Sequence, residues 1–273
     1  MRRVALKIAY IGTNFHGYQR QLGYPTVEKE LIYALKNVGI IDNMWDAHYS
    51  VAGRTDKGVH AIGNVISFLT DQKIHINQLN GLLPDDIKII GLLDPAPDDF
   101  KVRFPETRLY KYIYPINPYF QPLNIAKMIK TAQIFKGTHN YRNFSKSNEK
   151  SAYRTVTNVE LINNNDYLLF NVEGKSFLWH MVRKMIAALI RVGQDNLDEK
   201  DIKLLLTNKN LREKIRLKPA PAEGLILTDL KYNNIKIEED SYAKNKIIQV
   251  LEEKYLIHKQ KMETDKQLIK LLK

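Results

Sequence analysis

The amino-acid sequence predicts an α+β protein with two halves of the same element order, β-α-β-β-α-β, and a helical tail. Strand and helix patterns alternate along residues 4–93, and the same order returns along residues 109–232. A chain of 273 residues is also long enough for two cores, since a domain averages roughly 150 residues. We therefore expect one half at residues 1–104, a second at residues 105–235 and the tail at residues 236–273.

The first half begins with a strand that is buried on one face. From Val4 to Tyr10, apolar side chains occupy every second position, which is the period of such a strand. Thr26 is placed to cap a helix, and Gly39 is placed to end it. The other predicted elements of this half are strands at residues 49–52, 64–69 and 87–93 and a helix at residues 76–82.

The pattern restarts after residues 94–99, a loop rich in proline and aspartate. Asn163-Asn164-Asn165 separates two alternating runs, which indicates a hairpin. From Ile235 onward Lys and Glu are dense, and the sequence leaves open whether this mostly helical tail packs on the core, extends a binding surface or frays. The predicted elements are strands at residues 109–114, 156–162, 167–172 and 225–232 and helices at residues 125–132, 177–192 and 198–206.

The chain is strongly basic and has no cysteine. Its 42 Lys and Arg residues exceed its 30 Asp and Glu residues, which gives a formal charge of +12. This charge favours a polyanionic partner, most simply a nucleic acid, although membrane surfaces and acidic proteins attract the same charge. The lack of cysteine excludes disulfides, thiolate nucleophiles, Fe–S clusters and cysteine zinc sites.

Other patterns argue against membrane insertion and against several enzyme classes. No run approaches the roughly 18 apolar residues of a membrane span, and Met1-Arg2-Arg3 leads directly into a strand pattern rather than a signal peptide. Walker, dinucleotide-binding, zinc-protease and serine-hydrolase motifs are all missing. The histidines are dispersed, so we predict no metal site and no cofactor, and we expect a cytoplasmic protein.

A polar loop with glycines near both ends is a candidate functional site. It runs from Gly53 to His60, between two predicted strands, and contains Arg54, Asp56 and Lys57. Functional residues concentrate on such loops above rigid scaffolds. A plain turn has the same composition, because Asp and Thr cap turns and Gly supplies positive φ. The loop by itself leaves both interpretations open.

Arg183 is the cation most at risk of burial. The predicted helix at residues 177–192 carries two apolar stripes, formed by Leu178, Val182, Met185 and Leu189 and by Trp179, Ile186 and Ile190. A buried guanidinium needs an anion, and residues 175–191 contain no Asp or Glu. The anion must come from another part of the chain or from a ligand, and Asp56 is a candidate, unless Arg183 extends its charged end to the surface.

Two aromatic segments suit contact with unpaired bases. Tyr110, Tyr112 and Tyr114 share one face of a predicted strand. Such a stripe is more often core, but in a basic protein it can also stack a base. Phe15-His16-Gly17-Tyr18-Gln19-Arg20, after the first strand, mixes rings, an amide and a cation. Neither segment identifies a function without further signals.

Taken in order, these segments resemble the TruA-type tRNA pseudouridine synthase family. Gly53 to His60 is similar to the catalytic loop of the family, and the resemblance continues along most of residues 4–232. Several ordered matches are more specific than any one of them. The other matching segments are Phe15-His16-Gly17-Tyr18-Gln19, Pro97-Asp98-Asp99-Phe100 with Arg103-Phe104, Tyr110-Lys111-Tyr112, His180-Met181-Val182-Arg183 and Ala222-Glu223-Gly224-Leu225.

The resemblance implies two RRM-like halves that form a pseudouridine synthase fold around a basic cleft. It implies a homodimeric enzyme without a cofactor that isomerises uridine to pseudouridine in the anticodon stem-loop of tRNA, at tRNA positions around 38 to 40. Asp56 then becomes the nucleophile, Arg183 its ion partner and Tyr110 the ring against the target base.

The resemblance also assigns residues around the reacting base. Arg54 is expected to help hold the base out of its stack, and His60 and Leu225 are expected at the substrate. The expected RNA contacts are His16, Gln19, Arg20, Lys57 and Lys184. The rival hypothesis is a tRNA-binding or folding protein that shares the scaffold but does no chemistry. A third alternative, a basic DNA-binding module, lacks a recognisable motif.

Overall fold

The first half of the chain has the predicted order of strands and helices in the computed structural model, which describes residues 1–117, 122–146 and 151–273. The helix at residues 76–82 and the strand at residues 87–93 have the predicted bounds. The first helix ends at Asn37, two residues before Gly39, whose φ of +69° suits glycine. The elements are β1 (Arg2–Tyr10), α1 (Val27–Asn37), β2 (Ser50–Val51), β3 (His60–Thr70), α2 (Ile76–Leu82) and β4 (Ile87–Leu93).

Within its described residues, the second half repeats this order and adds a strand and a helix. Its elements are β5 (Thr107–Pro115), α3 (Ile125–Ala132), β6 (Gly137–Asn140), β7 (Tyr153–Asn163), β8 (Tyr167–Gly174), α4 (Met181–Gly193), α5 (Glu199–Leu205) and β9 (Leu225–Lys231). The hairpin of β7 and β8 turns at the predicted asparagines, with Asn165 at a φ of +63°. Strand β6 is absent from the sequence prediction because four residues are too few to show alternation.

The strands of the described ranges form one continuous sheet. Its order is β10-β4-β1-β3-β9-β5-β8-β7-β6, where β10 is Glu238–Glu239 and β2 pairs with β3. The first half therefore has the order β4-β1-β3-β2 and the second half β9-β5-β8-β7, with antiparallel pairing inside each half. Both are RRM-like arrangements, so the predicted fold class is confirmed.

The two halves join where β3 and β9 run parallel. The pairing begins with His60 opposite Ile226. Further along β3, a Cβ on Gly63 would lie 2.3 Å from the carbonyl oxygen of Thr228. Only glycine therefore permits this approach of the two strands. The junction brings the loop that precedes β3 next to the start of β9.

Each half has its own apolar core between the sheet and its helices. Leu31 of α1 lies in the first core, and Leu189 of α4 lies in the second. Strand β9 contributes to both, with Leu225 in the second core and Leu227 and Leu230 in the first. The division of the chain at residues 104 and 105 stays a prediction.

The buried helix of the second half is shorter than predicted. It begins at Met181 rather than Phe177, because His180 has a φ of +68° and a left-handed residue cannot continue a right-handed helix. Leu178 and Trp179 are therefore not members of the two helical stripes. Leu178 is still buried, whereas Trp179 is about half exposed.

The tail is helical, as predicted, and follows strand β10, which the sequence does not reveal. Helix α6 spans Ser241–Leu272. Its first turns pack on the sheet, where Ile247 contacts Ala9 and Ile90. Farther along, the ammonium group of Lys254 pairs with Asp86 at 3.0 Å. Beyond this contact most side chains of α6 are exposed. No helix in residues 1–117, 122–146 and 151–273 is long and apolar enough to cross a membrane.

Candidate active site

The loop that carries Asp56 is held by backbone hydrogen bonds on both sides of this residue. The N–H of Tyr18 donates to the carbonyl of Thr55 at 3.0 Å, and the N–H of Val59 donates to the carbonyl of Asp56 at 3.1 Å. Gly17 lies against the same segment, where a Cβ would be 2.8 Å from the Thr55 oxygen. Two segments singled out in the sequence are thus in contact.

Two buried polar side chains anchor the start of this loop. Asn64 on β3 donates its Nδ2 to the carbonyl of Gly53 at 2.8 Å and accepts from the N–H of Gly53 at 3.2 Å. The Tyr10 hydroxyl shares a hydrogen bond with Thr55 Oγ1 at 2.8 Å and accepts from Asn64 Nδ2 at 3.2 Å. Burial raises the pKa of Tyr10, so its hydroxyl stays protonated. The sequence gives no signal for either residue, because both lie in apolar strand patterns.

His60 connects the end of the loop to the second half. Its Nδ1 accepts the N–H of Gly12 at 3.1 Å, and its Nε2 then donates to the carbonyl of Glu223 at 3.1 Å. Burial lowers the pKa of His60, which favours the neutral ring that this arrangement requires. Both ring nitrogens are therefore occupied by backbone groups, whereas the sequence prediction places His60 at the substrate.

The ion pair expected between Asp56 and Arg183 is present. Arg183 Nη1 donates to Asp56 Oδ2 at 2.9 Å, and Arg183 Nε donates to the carbonyl of Ala220 at 2.7 Å. The side chains of Arg183 and Asp56 are 12% and 18% exposed, so the pair is largely removed from water. Arg183 does not extend to the surface. The pair joins the loop of the first half to α4 of the second.

Two residues that were not predicted as site residues also meet the Asp56 carboxylate. Trp179 Nε1 donates to Asp56 Oδ1 at 2.8 Å. His180 Nε2 lies 3.5 Å from Asp56 Oδ2, and burial lowers the pKa of His180, with Arg183 acting in the same direction and Asp56 opposing. A mostly neutral imidazole adds little charge to the ion pair. The carboxylate thus receives one short hydrogen bond on each oxygen.

Tyr110 lies half buried beside this cluster. Its ring packs edge-on against Phe177, with ring centroids 5.3 Å apart. Burial raises the pKa of Tyr110 to about 12, Arg108 lowers it and the charge of Asp56 raises it. The hydroxyl is therefore protonated at neutral pH and can donate. Its neighbour on the stripe, Tyr112, is buried and donates to the carbonyl of Pro221 at 3.1 Å.

An exposed polar surface surrounds the Asp56 loop. Lys57 Nζ lies 3.2 Å from His16 Nε2, and the His16 ring lies 4.4 Å from that of Tyr24. These three side chains bring the loop after β1 next to the loop of Asp56. Other predicted site residues with exposed side chains in these two loops are Gln19, Arg20 and Arg54.

Two further predicted site residues have contacts within the second half. Lys184 donates its ammonium group to the carbonyl of Ser145 at 2.9 Å, and burial lowers the pKa of Lys184. Leu225 is buried in the second core and pairs with Tyr112 across the sheet. In the part of the chain that the structure describes, no group of three or more His, Asp or Glu residues could hold a metal ion.

Comparison with known proteins identifies the family. A sequence profile described as tRNA pseudouridine synthase matches residues 7–105 and 131–233, which is more than half of the chain. The chain is 58% identical to the tRNA pseudouridine synthase A of Methanosphaera stadtmanae, over 100% of each chain. It is 42% identical to that of Methanothermobacter thermautotrophicus, over 95% of this chain and 92% of the relative. The chain therefore belongs to the tRNA pseudouridine synthase family, whose members isomerise uridine to pseudouridine in tRNA.

Proposed function

We propose that this chain isomerises uridines of the tRNA anticodon stem-loop, at positions around 38 to 40, with the carboxylate of Asp56 as nucleophile. The observation that carries the proposal is the carboxylate itself. It lies between the two halves and receives hydrogen bonds from Arg183 at 2.9 Å and Trp179 at 2.8 Å. Simple RNA binding does not require a carboxylate and a guanidinium to be paired away from water.

The reaction rearranges bonds without changing the composition of the RNA. The C1′–N1 bond of the target uridine breaks, and C5 of the same uracil bonds to C1′. The hydrogen on C5 is lost as a proton and N1 ends protonated, so no oxidant, reductant or group donor is needed. Asp56 either adds to C1′ or assists an elimination at the sugar, and both routes use the ionised carboxylate.

Three residues support this chemistry in the proposal. The guanidinium of Arg183 donates to the Asp56 carboxylate at 2.9 Å and holds it beside the place of the reacting sugar. Tyr110 packs against the uracil and holds it while it turns. Arg54, exposed on the same loop, helps to keep the base out of its stack. Flipping the base costs a few kcal/mol, which phosphate contacts by Lys and Arg must offset.

The RNA surface that we propose comprises His16, Gln19, Arg20 and Lys57, on the two loops that meet beside Asp56. Lys184 is left out of it because its ammonium group binds the carbonyl of Ser145. With a formal charge of +12, the chain attracts the phosphate backbone as a whole.

Binding of tRNA should depend strongly on salt. Each phosphate contact releases counterions, so the logarithm of the association constant should fall with the logarithm of salt concentration by roughly 0.7–0.9 per contact. We expect a slope of about −4 or steeper, measured by fluorescence titration between 50 and 300 mM KCl, a range of about sixfold in ionic strength. A slope near zero would contradict a phosphate-lined cleft.

We expect Arg183→Met to lower the free energy of unfolding by about 1–3 kcal/mol and to reduce the turnover rate. The substitution leaves Asp56 without its cation in a partly desolvated site and the Ala220 carbonyl without its donor. Chemical denaturation and single-turnover kinetics measure the two effects. Arg191→Met is the matched control, because Arg191 lies on the same helix and contacts only the carbonyl of Arg216, at 3.3 Å, among the hydrogen bonds described. If both variants had the same stability and the same rate, the ion pair of Arg183 with Asp56 would have no part in the mechanism.

A homodimer in the cytoplasm is also part of the proposal, in line with the family resemblance. Size-exclusion chromatography with light scattering should give twice the mass of the chain. A mass of one chain at micromolar concentration would contradict the dimer and leave the chemistry untouched.

Incubation of the purified protein with unmodified tRNA, followed by base-resolved detection of pseudouridine, tests the proposed substrate. We expect product in the anticodon stem-loop. Product elsewhere in the tRNA would keep the reaction but overturn the proposed position. No product with any tRNA, together with tight binding, would favour a tRNA-binding protein that does no chemistry.

A further inference from the structure

The Asp56 carboxylate is held by two donors that approach different oxygens. Trp179 Nε1 donates to Oδ1 at 2.8 Å, and Arg183 Nη1 donates to Oδ2 at 2.9 Å. A single donor would leave the carboxylate free to rotate about its Cβ–Cγ bond, whereas donors on both oxygens fix its plane. Reacting groups must be oriented closely for an attack to be efficient.

The backbone between the two donors has an unusual conformation. His180 adopts the left-handed conformation, with a φ of +68°, and precedes the first residue of α4. The chain turns at His180, and the side chains of Trp179 before it and Arg183 after it reach the same carboxylate. A left-handed residue other than glycine is unusual enough to indicate a local constraint.

Trp179 is itself held by a neighbouring cation. Lys146 Nζ lies 4.0 Å from the centroid of the Trp179 ring, and the N–H of Lys146 donates to the carbonyl of Trp179 at 3.0 Å. Trp179 is nevertheless 48% exposed, more than an ordinary core tryptophan. In the part of the chain that the structure describes, the hydrogen bond of its indole N–H is the one to Asp56.

We propose that Trp179 is a positioning residue of the isomerisation: its indole N–H, with the guanidinium of Arg183, sets the orientation of the nucleophilic carboxylate. This inference rests on the proposed role of Asp56 as nucleophile. Trp179 acts through Asp56 and need not touch the substrate. Hydrogen bonds to a charged acceptor are the stronger class, so the loss of this donor should be measurable in the chemical step.

Trp179→Phe tests the donor, because it keeps an aromatic ring and removes the N–H. We expect the single-turnover rate constant at saturating enzyme to fall about 10-fold, while the Kd for tRNA and the melting temperature change little. Trp45→Phe is the matched control, since Trp45 is 89% exposed and lies far along the chain from this site. It should leave rate, affinity and stability unchanged.

A second measurement separates the N–H from the ring. The chain has two tryptophans, so in a Trp45→Phe background residue 179 can be replaced by benzothienylalanine, in which sulfur takes the place of the indole N–H. The proposal expects this analogue to be as slow as Trp179→Phe. A wild-type rate for the analogue, or for Trp179→Phe itself, would overturn the proposal. An increase in the Kd for tRNA as large as the decrease in the rate constant would overturn it too.

Comparison of Asp56→Asn with Trp179→Phe separates the role of Trp179 from the proposed function. If Asp56→Asn is inactive and Trp179→Phe reacts at the wild-type rate, Asp56 keeps its role and Trp179 loses its role. If Asp56→Asn turns over normally, the proposed function itself fails. In the Trp45→Phe background the emission of Trp179 should also shift on Asp56→Asn, and an unchanged spectrum would mean that the indole and the carboxylate are not in contact.

Discussion

Asp56→Asn should abolish turnover, with the single-turnover rate constant reduced by about 10⁴-fold or more. The amide is nearly isosteric with the carboxylate but carries no charge, so it cannot add to C1′ or stabilise an electron-poor sugar. Affinity for tRNA should change little, because the proposed RNA contacts are made by other side chains. Quenched-flow or manual time courses with excess enzyme, read by base-resolved detection of pseudouridine, measure the rate.

Two control substitutions make this result specific. Asp99→Asn removes the charge of an exposed carboxylate in the loop after β4 and should be silent. Glu223 is a carboxylate beside the Asp56 loop, with Oε1 3.0 Å from where a Cβ on Gly58 would lie. Glu223→Gln should retain turnover. If Asp56→Asn reacted well and Glu223→Gln did not, Glu223 would take the role assigned to Asp56.

Tyr110→Phe should lower the rate by about 10²–10⁴-fold if the hydroxyl takes part in proton transfer, the usual contribution of a positioned acid or base. The raised pKa of Tyr110, about 12, means that this hydroxyl starts as a proton donor at neutral pH. Within the described residues it makes no hydrogen bond, so the loss of the oxygen should hardly change stability. Single-turnover kinetics and thermal denaturation test the two expectations.

Tyr112→Phe is the internal control for this prediction. Tyr112 shares the stripe but donates to the carbonyl of Pro221, so its Phe variant should lose about 0.5–1.5 kcal/mol of stability and keep the rate. Tyr110→Phe should therefore lose rate and keep stability, whereas Tyr112→Phe should lose stability and keep rate. Equal rates for Tyr110→Phe and Tyr112→Phe would make Tyr110 an ordinary core residue.

The ion pair at the centre of the site could be predicted because it follows from a chemical requirement. A guanidinium among apolar residues needs an anion, and residues 175–191 offer none. This reasoning pointed to an anion from another part of the chain or from a ligand and made Asp56 a candidate. The catalytic roles of Asp56, Arg183 and Tyr110 stay predictions until variants are measured.

The contact of Trp179 with Asp56 could not be predicted in the same way. Apolar periodicity placed Trp179 on the buried helix, and periodicity says nothing about a left-handed residue such as His180. The anchoring of the loop by Asn64 was missed for a related reason. A single polar residue in an apolar strand pattern gives no sign of whether it faces a loop or a core.

The fold was predictable where the sequence pattern of one segment is enough to determine its secondary structure. Strand β4 has clear turn residues before it, and helix α2 repeats Ile76, Leu79 and Leu82 at helical spacing, and the bounds of both were correct. Strands β6 and β10 have four and two residues, and their pairing depends on neighbours that are remote in sequence. The parallel pairing of β3 with β9 also depends on residues that are remote in sequence. The close approach at Gly63 can be connected with this pairing only once the structure is known.

The dual role of β9 has a consequence for the chain as it leaves the ribosome. Leu227 and Leu230 complete the first core, yet they are made long after residue 104. At about 5–20 residues per second, Leu230 follows residue 104 by roughly 6–25 s. During this interval the nascent first half has all of its own strands but exposes the apolar surface that β9 later covers. The first half therefore reaches its final packing only after β9 has emerged, so its folding depends on the synthesis of the second half.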